Sequence, residues 1–184
     1  MDPIITVTFS PSFKVEEFAL HNISGDYLKD LIDERAQEIA NLPLDDDEDA
    51  TPDTWVITLY EDVPDSLLPK DEEQPTEAEL EHLVQFAVAV ADIDDDETRE
   101  KAFVAFLENE YGCYANPEDA YVGFQEAYEG QYDSWEEFAE QLVDSLGYLG
   151  EMPQHLRNYF DYEKFGRDLQ HDYCEYEGFY FRNI

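Results

Sequence analysis

The sequence predicts an α+β protein made of two or three small acidic subdomains, helix-rich, with short strands and a C-terminal hairpin. Three observations carry that prediction. Two β-branched runs, Ile4–Phe9 and Trp55–Tyr60, stand apart from the helical segments. Several amphipathic segments open on capping residues, Thr76 and Ser134 among them. Two short aromatic runs, Tyr173–Tyr176 and Phe179–Phe181, flank a Glu177-Gly178 turn, which is a hairpin signature.

Between the first two strands, a helix starting near Ser24 places Tyr27, Leu28, Leu31, Ile32, Ile39 and Leu42 on one face, and Asp45–Asp49 reads as a loop. Pro64 to Pro75 is rich in proline and acid without periodicity, so a linker is expected there. Thr76-Glu77-Ala78-Glu79 forms a capping box for a helix with an apolar stripe of Leu80, Leu83, Val84, Ala87, Val88 and Ala91. Phe86 and Val90 lie off the stripe, so that helix wants burial on more than one side, within the chain or against a second subunit. Asp94-Asp95-Asp96 can cap the next helix, with Ala102, Phe103, Phe106 and Leu107 inward and an end before Gly112.

Asn116-Pro117 starts a helix with Ala120, Tyr121, Phe124 and Ala127 or Tyr128 on one face and an end at Gly130. Ser134-Trp135-Glu136-Glu137 is a second capping box, for a helix lined by Trp135, Phe138, Ala139, Leu142, Val143 and Leu146 and closed by Gly147. A helical turn at His155–Tyr159 precedes Asp161, which caps a helix carrying Tyr162, Phe165 and Leu169. The expected domains are 1–70 (α+β), 71–116 (helical) and 117–184.

Charge dominates the rest. Of 184 residues, 47 are acidic and 10 are Lys or Arg, a formal net charge of −37. The excess is spread evenly: −13 over 1–70, −12 over 71–116 and −12 over 117–184. An even spread argues against an acidic tail, and therefore against a chaperone or shuttle that works through one. It also excludes nucleic acid as a partner, because phosphates repel such a surface; the natural partners are basic. With 43% hydrophobic and 15% aromatic residues the chain has the material for a core. No apolar run is long enough for a membrane span and the start lacks a secretory pattern, so the expected compartment is the cytoplasm.

Catalytic and metal signatures are missing. His21, His82, His155 and His171 have no helical-spacing partners, and Cys113 and Cys174 read as ordinary buried or half-buried thiols. A calcium loop starting at Asp45 would need glycine and glutamate where Ala50 and Val56 stand, and one starting at Asp92 meets Glu97 at its sixth position. No phosphate-cradling, nucleophile-elbow or zinc-protease motif occurs, so no enzyme, cofactor or metal is expected.

The charge itself remains to be explained. Small domains stay soluble with a net charge of magnitude about 2–8, so solubility does not require −37. At the density of B-form DNA, about one charge per 1.7 Å, thirty-seven charges correspond to about 63 Å or roughly 18 base pairs. An elongated acidic protein can therefore imitate a duplex; a halophilic protein is the rival source of such a composition.

Residues Phe124–Ala139 (FQEAYEGQYDSWEEFA) and Leu156–Leu169 (LRNYFDYEKFGRDL), with the closing stretch Asp172–Phe181, resemble the C-terminal part of the ArdA antirestriction proteins. The resemblance covers 117–184, and the N-terminal part looks divergent. It implies an elongated homodimeric DNA mimic of mobile elements or phages that occupies the DNA-binding groove of type I restriction-modification enzymes. A divergent front half leaves room for a different DNA-binding machine, such as a CRISPR effector. By similarity, the antirestriction motif and dimer contact fall in 141–149, giving Leu142, Leu146, Tyr148 and Leu149 as contact residues. The expected target-binding surface comprises Asp45, Asp46, Asp47, Glu48, Asp49, Asp92, Asp94, Asp95, Asp96, Glu97, Glu126, Glu129, Asp133, Glu136, Glu137 and Glu140.

Overall fold

A computed structural model describes the chain apart from residues 1–2, 11–13, 21–22, 24–27, 41–53, 70–74, 94–95, 111–112, 151, 158 and 184. The fold is α+β, with helices alongside two three-stranded antiparallel sheets, and the chain divides into two compact units, Met1–Ala120 and Tyr121–Ile184. Residues 71–116 share the first unit with 1–70.

In the first unit, β1 (Ile4–Ser10) lies between β2 (Lys14–Ala19) and β3 (Thr54–Glu61). Alternation along β1 sends Ile5, Val7 and Phe9 to one face, where all three are fully buried beside Trp55 and Ile57 of β3. Strand β2 was not foreseen. Its sequence, KVEEFA, carries three charges and reads as polar, and it becomes a strand because it can pair with β1 at the sheet edge.

Helix α1 (Leu28–Ala40) buries Leu28, Ile32, Ala36 and Ile39, while Leu31, expected inward, is 40% exposed. The helix is tied to the sheet by the Trp55 indole, which donates to the Asp33 carboxylate at 2.7 Å. Within Pro64–Pro75, a 3₁₀ turn at Asp65–Leu67 buries Leu67.

Helix α2 (Glu77–Ala91) opens with the expected box: Thr76 Oγ1 accepts from the Glu79 N–H, and the Glu79 carboxylate accepts from the Thr76 N–H. Its rotational phase differs from the expected stripe. Phe86 and Val90 are buried inside this same unit, with Phe86 stacked on Phe103 of α3 (Glu97–Glu110), while Val88 is 52% exposed. The surplus apolar side is thus covered by the chain itself, and Phe86 and Val90 are unavailable to a second subunit. Ala102, Phe103, Phe106 and Leu107 of α3 point inward as expected.

Helix α4 (Pro117–Ala127) begins in the first unit and runs into the second. Asn116 caps it by accepting the Asp119 N–H at 2.8 Å. The helix stops at Ala127, short of the expected Gly130. Tyr128–Gln131 instead forms β4, which pairs with β6 (Phe179–Arg182), itself paired with β5 (Tyr173–Tyr176). Gly130 sits in this strand at φ +135°, beside the register shift and against the Tyr132 ring, where a side chain would be strained. The β5–β6 hairpin forms as expected, with Glu177 and Gly178 both at positive φ, as a tight two-residue turn needs.

Helix α5 (Trp135–Ser145) buries Phe138, Ala139 and Val143. It ends in a Schellman motif: the Gly147 N–H bonds to the Asp144 carbonyl and the Tyr148 N–H to the Val143 carbonyl, with Gly147 at φ +65°. A short α6 (Gln154–Arg157) precedes α7 (Tyr162–Leu169), whose N-cap Asp161 accepts from the Lys164 N–H. Gly166 of α7 meets α5 so closely that a Cβ there would lie 2.6 Å from the Trp135 carbonyl oxygen.

Candidate functional site

Helix α5 presents carboxylates on the side opposite its aromatic face. Glu136, Glu137, Glu140 and Asp144 are all exposed, and the helix carries no Lys or Arg. From Glu136 to Asp144 the axial rise is about 12 Å, in steps of about 1.5, 4.5 and 6 Å, so the four carboxylates have a mean axial spacing of about 4 Å, near the about 3.4 Å per charge along one strand of B-DNA. The arrangement follows from the sequence. Phe138, Ala139, Leu142 and Val143 fix which side faces the core, and the acidic positions at Glu136, Glu140 and Asp144 fall four residues apart on the other.

The start of this row is held by hydrogen bonds. Ser134 Oγ accepts from the Glu137 N–H at 3.2 Å, the expected half of a capping box. The reciprocal half is shifted: the Glu137 carboxylate accepts from the Asp133 N–H at 2.7 Å, not from Ser134. Glu137 and Asp133 are therefore drawn together at the positive end of the helix dipole, which favours both charges. Asp144 was missed as a site residue, although its spacing of four from Glu140 was the available signal.

The other expected residues fall into several settings. Glu126 is exposed on α4, whereas Glu129 is half-buried and ion-paired with Arg182 across the β4–β6 pair. Asp92 follows α2 as its exposed C-cap residue. Asp96 Oδ1 accepts from the N–H groups of Thr98 and Arg99 and so starts α3. Glu97 pairs with Lys101, which holds its carboxyl below the usual range. Asp45, Asp46, Asp47, Glu48, Asp49, Asp94 and Asp95 lie outside the described residues.

Most of the few cations that are described are already committed within the chain. Lys29 pairs with Asp33 at 2.8 Å, Arg35 with both Glu16 and Glu38, and Arg167 with Glu163. The bond from Arg35 lowers the Glu16 pKa. At Asp33, burial pushes the pKa up, but the bonds from Lys29 and Trp55 outweigh it and the net shift is downward. Among the described residues, none of these pairs involves an α5 carboxylate.

Of the residues expected at a dimer contact, Leu146 and Tyr148 are 54% and 63% exposed, Leu142 packs against the Phe138 cluster, and Leu149 is buried. Cys113, expected buried or half-buried, is exposed, while Cys174 is half-buried. Among the described residues no group of three or more His, Cys, Asp or Glu is arranged to hold a metal ion. No helix among them is long and apolar enough to cross a membrane.

Fold and surface together define an acidic α+β protein that displays carboxylate rows on capped helices. Residues 14–182 match the family model "Antirestriction protein (ArdA)", and the chain belongs to that family. The match extends the expected resemblance from 117–184 to most of the chain, the N-terminal part included from residue 14. No curated protein matches the chain.

Proposed function

We propose that this antirestriction protein is a DNA mimic that occupies the DNA-binding groove of a host restriction-modification enzyme, in the first place a type I complex. The observation that carries the reading is the α5 row, four exposed carboxylates whose mean axial spacing is close to that of one strand's phosphates. In this mechanism Glu136, Glu137, Glu140 and Asp144, with Glu126, Asp133 and the acidic residues of the first unit, stand where phosphates would and meet the target's Lys and Arg. The protein binds no nucleic acid and acts in the host cytoplasm, where the enzyme meets DNA. A second reading is a mimic aimed at another DNA-binding machine, such as a CRISPR effector; the family match over 14–182 favours the restriction-modification target.

The same reading gives a homodimer through the second unit, with Leu146 and Tyr148 as the contact. Leu149 and Leu142 then act from within the core beneath it.

Competition tests the reading. A long DNA duplex should displace the protein from its target, and binding of both at once would overturn the mimicry. Replacing Glu136, Glu137, Glu140 and Asp144 together with their amides should weaken target binding more than tenfold and flatten its salt dependence. One such exposed pair contributes only about 0–1 kcal/mol, so single replacements are uninformative.

A further inference from the structure

The two faces of the first sheet differ in what they present. On the inner face α1 is tied to both outer strands, by the Trp55 indole bond to Asp33 on the β3 side and by Arg35 bonded to Glu16 on the β2 side. The opposite face holds the alternate residues of the same strands. Val15, Thr8 and Val56 form one cross-strand row and Glu17, Thr6 and Leu59 the next, with Glu61 beyond them opposite Ile4. Val15 is 60%, Val56 42% and Leu59 48% exposed. The register shift between Thr6 and Val7 makes Thr58 an extra residue of β3, turned to this same face. Its hydroxyl donates to the Thr6 carbonyl at 3.3 Å and so accepts from the Thr8 hydroxyl at 3.2 Å. The Thr8 and Thr58 hydroxyls are thus partnered within the sheet, and covering them with an apolar side chain strands no donor.

We propose that this outer face is a docking site for one amphipathic α-helix of another protein, apolar along a stripe and basic beside it. The size fits a single helix. Three strands span about 10 Å, about the diameter of a helix, and α1, 13 residues long, lies against the inner face of the same sheet. The charge fits a basic one. The apolar rows are bordered by the exposed carboxylates Glu17 and Glu61, and the only cation in the three strands, Lys14, stands opposite Phe9, in register with the inner face. Lys or Arg beside the stripe therefore meets carboxylates, while the stripe itself covers Val15, Val56 and Leu59. A second copy is a poor occupant: no described helix of eight or more residues carries more base than acid, and two chains of −37 repel. The surface uses no residue of the α5 row or of the Leu146 and Tyr148 contact, so it stands independently of DNA mimicry.

The test titrates the full chain with synthetic peptides and follows the Thr6 and Thr8 amides and the Val15, Val56 and Leu59 methyls by NMR, in about 0.3 M NaCl to suppress loose attraction to the acidic surface. The probe is a helical leucine–lysine peptide of about 18 residues with its leucines on one stripe. Its controls are the same composition with the stripe scrambled and a striped peptide with glutamate in place of lysine. The striped lysine peptide should shift these resonances, with an affinity at this site at least tenfold above either control. The variant V15T/V56T/L59T, which keeps charge and strand propensity, should lower that affinity at least tenfold, and E17Q/E61Q should narrow the gap between the lysine and glutamate peptides. The three peptides on the wild-type chain decide the matter even if a variant folds poorly. Equal shifts from striped and scrambled peptides, or an affinity untouched by V15T/V56T/L59T, overturn the proposal. Shifts of the three methyls on dilution without peptide would assign the face to a second copy and overturn it too.

Discussion

The first unit carries 33 acidic and 6 basic side chains over 120 residues, net −27; the second carries 14 and 4 over 64, net −10. The larger unit thus bears one net charge per about 4.4 residues and the smaller one per about 6.4. Their cores differ in the same sense. In the first, strands and helices bury Ile5, Val7, Ile32, Leu80, Leu83 and Val84, supported by Phe86, Phe103 and Phe106. The second relies on an aromatic cluster in which Phe138 touches Tyr132, Trp135, Tyr173 and Tyr180, with ring centroids 4.9 to 6.0 Å apart. A 64-residue unit has a high ratio of surface to volume, and large rings remove about 150–250 Å² each from water. The comparison couples a lower charge load in the short unit to a core built on clustered aromatic rings, and a higher load in the long unit to a larger, mainly aliphatic core.

Removing the hub of the aromatic cluster breaks that core and gives the largest expected effect. Phe138 is 1% exposed, and Phe138→Ala should cost about 3–5 kcal/mol. Hydrogen exchange should show Tyr121–Ile184 opening while β1 and α2 keep their protection. Simultaneous loss of protection in both units would mean that they fold as one. Gly166→Ala is next. Alanine is favoured over glycine in a helix by about 1 kcal/mol, yet its Cβ would meet the Trp135 carbonyl at 2.6 Å, and backbone cannot swing aside as a side chain can. Overpacking of this kind costs about 1–3 kcal/mol, so the melting temperature should fall. A rise would show that α7 shifts away from α5 without penalty.

Salt sharpens the comparison at a smaller scale. Because the first unit carries the denser charge, lowering NaCl from about 0.5 M to about 0.02 M should raise exchange rates in Met1–Ala120 more than in Tyr121–Ile184. Target affinity should move the other way and fall as salt rises. Equal sensitivity of both units would detach charge load from stability.

What the sequence revealed depended on how local each signal was. The Thr76–Glu79 box, the Asn116 and Asp161 caps, the Gly147 stop and the Glu177-Gly178 hairpin rest on residues within a few positions of one another, and all form. Strands β2 and β4 did not show themselves, because KVEEFA and YEGQ become strands only by pairing with β1 and β6. The phase of α2 was read from its own stripe, whereas the packing of Phe86 on Phe103 decided it and left Val88 outside. In the candidate site, the acidic positions of α5 were legible from spacing. That Glu129 is paired with Arg182, 53 residues away in sequence, was not.

The smallest expected effect separates the units at high pH. Tyr60 of β3 has its pKa raised to about 12, first by burial and then by the nearby Glu79 carboxylate. In the unfolded chain the phenol ionises near 10. Between those values the folded state holds a proton that the unfolded state has released, so the stabilising contribution is complete below pH 10 and is lost as pH rises through about 12. The side chain is only partly buried, so solvent screens the effect and its size is well below that of the Phe138 or Gly166 variants. Tyr132 and Tyr180 in the second unit are shifted the same way, again by burial first and then by neighbouring carboxylates, Glu137 among them for both. Tyr60→Phe should therefore flatten the alkaline decline of the first unit while leaving that of the second intact. Tyrosinate absorbance and hydrogen exchange, followed from pH 9 upward, read the two separately. If the first unit of Tyr60→Phe loses stability as steeply as the wild type, the decline belongs to general repulsion among its carboxylates and not to this phenol.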